Sequence, residues 1–516
     1  MGTKGSSKVE DLRADIIIIG GGGAGLPAAA AAIEAGAKKV IILDKREILG
    51  GCARMAKGFF AVESPAQKRL GIHHTADECF TEHMEQASWT CDARLVRAWL
   101  NGSKDIVRWF EEKGVVIDDV TAFTGTKRFY HRVADKPTMT GNTIMDMLVK
   151  DCKKKGVQVI METRVRRLLT DAKGNVTGVL ADQKGKDLRI AAKSVIIATG
   201  SITRNEELLK RYYPEVSFEN IKLIPLPHST GDGLLLAEEI GAAKDGFVTT
   251  LWIGPHNHPH NVRVGLVSRR PHMILVNKYG VRYADETLYS KHQWGWFAGN
   301  ALERQPGRIC YALMDEKIKR DMIRKREIVS GLEDSQGRLA SGDFLARADQ
   351  ETGAEVAHDD GLAWLDELED DIQSEIKQGR VKASDTWDEI AEWMGADPAV
   401  LKATVDRYNV FCKNSYDADF LKSKEWLLPL RTPPYYAILA HQGVDACIGG
   451  IRISHRMEVL DKELRPIGGL YAAGVATSGW LGPAGYSFSG SELGFSLFSG
   501  YTAAKIAAAY AKSDSK

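Results

Sequence analysis

Residues 14–52 read ADIIIIGGGGAGLPAAAAAIEAGAKKVIILDKREILGGC. The isoleucines from Ile16 to Ile19 are β-branched and unbroken, the pattern of a strand buried on both faces of a parallel sheet. Gly20, Gly22 and Gly25 follow in G-x-G-x-x-G spacing, a small-residue helix runs to Gly36, and a second apolar strand, Val40 to Leu43, ends at Asp44. That order suits a dinucleotide. The first glycine makes the turn, the second lets backbone N–H groups reach a pyrophosphate, and the third packs helix on strand. Asp44, about 20 residues on, is placed to accept from a ribose hydroxyl. A membrane helix is the rival reading of the same apolar run; its glycines, Pro27 and the following EAGAKK argue against it. Nucleotide binding is predicted, with FAD and NAD both open at this point.

The chain has 516 residues, 44% hydrophobic and 27% charged, a globular composition with room for roughly two or three domains. Its 69 basic and 68 acidic residues leave a net charge of +1, which makes no electrostatic case for nucleic acid or an anionic membrane surface. The cysteines (Cys52, Cys79, Cys91, Cys152, Cys310, Cys412, Cys447) are widely spaced without a Cys-x-x-Cys pair. No disulfide framework, zinc site or iron–sulfur cluster is expected, and no metal; a reducing, cytoplasmic location is the default. The first fifteen residues show no signal-peptide pattern, and no integral membrane segment is expected.

Residues 76–113 predict two amphipathic helices, residues 139–170 a helix feeding a strand, and DAKGNVTGVLADQKGK a hairpin. SVIIATG is another buried strand, and HSTGDGLLLAEEIGAA opens a helix with Thr230 or Asp232 as cap. From Phe247 to Cys447 shorter strands and more aromatic residues are expected, with LDELEDDIQSE a solvated helical face. GGLYAAG and a small-residue helix close the chain in its opening style. The fold class is therefore α/β: a Rossmann-like domain made by both chain ends (1–247 and 448–516) and an inserted α+β capping domain (248–447). A second dinucleotide fingerprint is not seen, so direct oxidation of NAD(P)H is not expected.

Together these pieces resemble the fumarate reductase and succinate dehydrogenase flavoprotein family, which includes 3-ketosteroid dehydrogenases and urocanate reductase. The residues that carry the resemblance are the Gly20-Gly22-Gly25 loop, Gly50-Gly51, Ala198-Thr199-Gly200, Thr230-Gly231-Asp232-Gly233, LVNKYGVRYADE and GGLYAAG. The resemblance implies FAD. Asp44 would hold the adenosine ribose, Val165 the adenine through its backbone, and Lys57-Gly58 would lie near the reactive ring. Ala24, Lys45, Ala56, Gly474 and Leu493 complete the implied cofactor set. A helix beginning near Ser491 would aim its N-terminal dipole at the pyrimidine end. Cys52 takes the place of the histidine that carries covalent flavin in some members; an unlinked cysteine and a thioether are both open.

At the substrate end the family pattern is broken. Arg269 matches a lid arginine of the proton relay, but the proton-donating arginine falls on Ser290, an expected histidine on Ala446, and the C-terminal arginine is lost in WLGPAGYSFSG. A small dicarboxylate is disfavoured. LGPAGYSFSGSELGF is instead similar to the turn of the ketosteroid dehydrogenases, whose backbone N–H groups polarise a carbonyl; Ala484 and Gly485 would take that part, with Tyr289, Ser290 and Arg269 as proton relay and Arg270 a rival. The expected chemistry is hydride transfer at flavin N5 to or from the C=C bond of an enone or enoate, with an unknown protein or quinone as electron partner. Tyr130, His131, Tyr486, His256 and His258 are pocket candidates by position. Three alternatives stay open: the flavin subunit of an electron-transfer assembly, a fumarate/succinate-type reductase with an unusual carboxylate site, and a flavin-binding protein without catalysis.

Overall fold

The computed structural model describes residues 10–121, 127–133, 140–214, 222–223, 226–255, 262–268, 270–287, 296–325, 366–483, 485 and 487–513. The chain begins with β1 (Glu10–Ile19), α1 (Gly25–Glu34), β2 (Val40–Leu43), β3 (Phe59–Phe60), α2 (Ala76–Gln86) and α3 (Ala93–Glu112). It continues through β4 (Tyr130–Arg132), α4 (Thr140–Lys154), β5 (Gln158–Ile160), β6 (Thr163–Thr170), β7 (Val176–Gln183), β8 (Lys186–Ile197) and α5 (Asp232–Glu239).

A second group follows: β9 (Lys244–Pro255), β10 (Ile274–Asn277), β11 (Ile309–Asp315), α6 (Leu368–Lys377), β12 (Val381–Ser384), α7 (Trp387–Met394), α8 (Pro398–Asn414) and β13 (Tyr435–Ile451). The chain then returns through β14 (Glu458–Leu460), β15 (Pro466–Ala472) and α9 (Ser491–Ser513).

β1 lies between β2 and β8 and parallel to both, in the order β14-β15-β8-β1-β2-β5, with β6 and β7 folded antiparallel onto β8. Neighbours on both edges and layers on both faces explain the unbroken isoleucines: Ile16, Ile17 and Ile18 have no exposed surface. β15 joins this sheet from 275 residues away, parallel to β8 through Leu470, Tyr471 and Ala472. Both chain ends thus build one doubly wound sheet, and α9 packs directly on α1, Gly500 lying so close that a Cβ would stand 2.1 Å from the Ala24 carbonyl oxygen.

The second sheet runs β10-β11-β13, and β13 also pairs with β9 and β12. It carries its own core, from Val264 and Met273 through Tyr408 to Ala440. β10 and β12 are short, four residues each, but β13 spans 17 residues and β9 spans 12, and β13 runs from one core into the other. Val444, Cys447 and Ile451 of β13 belong to the first core, so the expected boundaries at 247/248 and 447/448 fall inside paired strands. α6 refines a second expectation: Glu369, Asp370 and Asp371 stay at least partly exposed, as a solvated face requires, while the opposite face is buried. Leu368, Ile372 and Glu375 of its acidic sequence are buried, and Arg380 clasps the Glu375 carboxylate at 2.5 and 2.6 Å.

Candidate functional site

Sterics at the glycines build the site. The chain leaves β1 at Gly20 with φ +101°, where a Cβ would stand 2.5 Å from the Ala198 carbonyl oxygen. At Gly25 a Cβ would stand 1.8 Å from the Gly20 carbonyl oxygen, so α1 starts this close to β1 only without a side chain. Gly22 differs: its nearest neighbours, Gly50 and Gly51, are 4.0 Å away, which leaves the space a ligand backbone contact requires. Asp44, at the end of β2, accepts the Gly21 and Arg46 N–H groups at 2.8 Å each and so ties the glycine loop to the second strand.

A cavity of about 340 Å³ opens from this loop. Gly20, Gly22, Ala24, Asp44, Lys45, Gly51, Cys52, Ala56, Lys57, Gly58, Val165, Ala198, Thr199, Gly200, Asp232, Gly474, Ser491 and Leu493 all line it. Gly25 and Gly50 do not. They act from behind the wall, Gly25 by spacing and Gly50 by donating its N–H to the Gly21 carbonyl at 2.8 Å with φ +110°.

Charge is arranged along the cavity. Lys45 Nζ donates to Thr230 Oγ1 at 2.6 Å and to Asp232 at 3.0 Å, and Arg164 reaches Asp232 at 3.2 Å. Burial alone would raise the Asp232 pKa, but the Lys45 ammonium and its hydrogen bonds hold the carboxyl below its ordinary range. This corrects the expected cap of α5: the N-cap is Gly231 at φ +74°, no side chain caps the helix, and Asp232 is turned to Lys45 instead. Cys52 sits in the wall 3.9 Å from Ser229, its thiol pushed up by burial.

Tyr130 lines the cavity beside Gly58, where a Cβ would collide with its ring. His131 does not. It is a core residue, fully buried, held by Ser64 Oγ at 2.6 Å and the Phe129 carbonyl at 2.9 Å, and burial brings its pKa down to about 4.

Tyr289, Ser290, Arg269 and Ala484, with Tyr486, His256 and His258, lie outside the described residues. Gly485 is described, and its N–H donates to the Gly482 carbonyl at 3.0 Å. That donor is spent within the turn, so the expected role of Gly485 as carbonyl polariser is corrected to that of the left-handed residue, φ +85°, that closes it. Three residues before Tyr289 the chain is clamped: Glu286 accepts from Arg282 through two bonds of 2.8 Å, from the Leu275 N–H at 3.0 Å, and pairs with Lys422 at 3.2 Å. Arg270 is a buried cation of a different kind. Among the described residues its Nε has no hydrogen-bond partner, and burial lowers its pKa to about 10.

Other wall residues were not read from the sequence. Thr163 and Arg164 flank Val165 on β6, and Ser496 follows Leu493 by about one helical turn; spacing from the residues already named would have found them. Leu226, His228 and Phe488 also line the cavity, brought there by packing that no local pattern reveals, and Ala446, singled out in the sequence for the histidine it replaces, lies in the same wall.

A family model described as an FAD binding domain matches residues 15–487. The vinyl phenol reductase of Lactiplantibacillus plantarum is 26% identical over 484 residues, covering 91% of this chain and 92% of the relative. The urocanate reductase of Eggerthella lenta is 28% identical, covering 86% and 66%. Among solved structures, the open conformation of a flavocytochrome c3 fumarate reductase superposes with a TM-score of 0.71 at 26% identity, covering 97% of this chain and 79% of that one. The 3-ketosteroid-Δ4-(5α)-dehydrogenase of Rhodococcus jostii RHA1 has the same fold, with a TM-score of 0.71 at 23% identity over 98% and 99%. With the glycine cradle, the open approach at Gly22 and a cavity long enough to join Val165 to Lys57, this chain belongs to the FAD-binding flavoprotein family of the fumarate reductase and succinate dehydrogenase type, and FAD is its cofactor.

Proposed function

We propose that this FAD-dependent oxidoreductase acts on the CH–CH bond next to a carbonyl, reducing or forming the C=C bond of an enone or enoate other than fumarate. The observation that carries the exclusion of fumarate is Ala446, an apolar residue in the cavity wall where a dicarboxylate site would need a charged or hydrogen-bonding one. FAD, when bound, donates or accepts a hydride at N5.

The protein's own residues have three tasks. The wall from Lys57 to Gly58 and the start of α9 hold the ring in place. The turn around Ala484, kept tight by Gly485, presents a backbone N–H to the substrate carbonyl and stabilises the charge that develops there. Tyr289, with Ser290 and Arg269, carries the proton to or from the neighbouring carbon, on a segment whose start is fixed by the Glu286 clamp.

The test is direct. The bound flavin is reduced without oxygen and mixed in turn with cyclic enones, 3-ketosteroids, aryl acrylates, their methyl esters, urocanate and fumarate. Rapid reoxidation by an enone or a monocarboxylate, slowed at least tenfold in Tyr289→Phe, is expected. Reoxidation by fumarate as fast as by any other compound would refute the exclusion, and an unchanged rate in Tyr289→Phe would refute the relay. The electron partner is proposed as a separate protein or quinone, because no second dinucleotide fingerprint is present in the sequence.

A further inference from the structure

We infer that the side chain of Lys57 sets the reduction potential of the bound FAD. Lys57 lines the cavity and is only 7% exposed, so its charge lies in the same compartment as the flavin and not in bulk water. Its backbone has little freedom. On one side the Ala56 carbonyl accepts the Gly141 N–H at 2.8 Å, and on the other Phe59 enters β3, in register with His131. Gly58 next to it cannot shift, since a Cβ there would already meet the His131 carbonyl at 2.7 Å.

The same strand fixes the start of α9. The Phe60 N–H donates to the Gly490 carbonyl at 3.0 Å, and Gly490 and Gly494 pack against the β3 backbone at distances, 2.7 and 2.5 Å for a built Cβ, that no side chain tolerates. Lys57 and the N-terminus of a 23-residue helix are thereby held at one end of the cavity, and both are positive. The flavin ring gains negative charge on reduction. A cation at that end, poorly screened because it is buried, binds the reduced form more tightly than the oxidised form, and by thermodynamic linkage raises the potential. Glu492, one residue into α9, lines the same end and opposes this effect. The cavity's other carboxylates are engaged elsewhere, Asp44 by two N–H groups and Asp232 by Lys45.

The experiment is a potentiometric titration of the holoprotein, without substrate, for wild type, Lys57→Met, Lys57→Gln and Lys57→Arg. Removing the charge is expected to cost at least tenfold in the preference for the reduced form, about 30 mV for a two-electron couple, while Lys57→Arg stays near wild type. Should a neutral variant lose its flavin on purification, titrating the apoprotein with oxidised and with reduced FAD yields the same quantity as a ratio of dissociation constants. A ratio or potential unchanged in both neutral variants overturns the inference, as does an equal fall in Lys57→Arg, which would mark a packing role. Because no substrate is present, either result leaves the proposed reaction to its own test.

Discussion

Glu286→Gln is the perturbation with the most to say about the capping unit. Glu286 is 1% exposed and compensates two buried cations, Arg282 and Lys422, the latter also donating to the Met273 carbonyl at 2.8 Å. Glutamine keeps the shape and can still accept from the Leu275 N–H, but it removes the charge. Arg282 retains Asp417 at 2.8 Å, whereas Lys422 has no other carboxylate partner among the described residues. Breaking a buried pair from one side costs about 3–5 kcal/mol, which for a unit of about 200 residues lowers Tm by roughly 6–20 °C. Differential scanning fluorimetry follows the loss, with Trp387, Trp393 and Trp426 reporting from this unit. Adding Lys422→Met to Glu286→Gln removes the stranded charge and is expected to recover about 1–3 kcal/mol, a coupling that a double-mutant cycle measures. The pH dependence has a definite sign. Burial would raise the Glu286 pKa, but Lys422 and Arg282 hold it below the ordinary 4.5, so its contribution is full above pH 4.5 and fades as pH falls through the lower folded value. A Tm drop under 2 °C, a double variant no better than the single one, or a wild-type advantage that persists at the lowest pH would refute the reasoning.

Gly25→Ala drives a Cβ to 1.8 Å from the Gly20 carbonyl oxygen; α1 must move off β1, and FAD affinity is expected to fall about tenfold or more, read as flavin absorbance per protein. Acid is expected to loosen the nucleotide end: the Asp232 carboxyl is held below its ordinary 3.8 by Lys45, so the Lys45–Asp232 tie is intact above pH 3.8 and is lost as pH falls through the folded value. FAD release that accelerates below pH 3.8 in wild type, and already occurs at neutral pH in Asp232→Asn, checks it. Burial raises the Cys52 pKa and keeps the thiol protonated, a poor nucleophile; acid precipitation is expected to leave all the flavin in the supernatant, and a yellow pellet that turns colourless in Cys52→Ser would reverse this conclusion.

The two ends of the cavity differ in how they are written in the chain. Cofactor recognition here is largely backbone chemistry, and backbone chemistry has rigid local requirements: Gly20 must adopt φ +101°, Gly25 has no room for a carbon, and Asp44 must follow β2 to reach the Gly21 N–H. Such constraints leave fixed spacings, so Ile16 to Asp44 and Gly50 to Gly58 are legible at sight. Side-chain choices are legible only when their partner is near in sequence. Thr230 and Asp232 satisfy every local rule for a helix cap, yet Lys45, 187 residues from Asp232, claims the carboxylate and leaves the cap to Gly231. His131 sits beside the pocket residue Tyr130, but strand alternation sends its ring the other way, to Ser64. Gly485 carries a donor that its own turn consumes. The proposed substrate end rests on such choices: Ala446 reaches the cavity wall on β13, far in sequence from the glycine cradle, and no spacing rule joins the two. Lys57 stands between the two regimes: its backbone belongs to the legible cradle, while no local spacing rule dictates that the side chain there be a lysine. A chain can therefore change that one side chain, and with it the energy of the reduced flavin, without disturbing the pattern by which the fold is read.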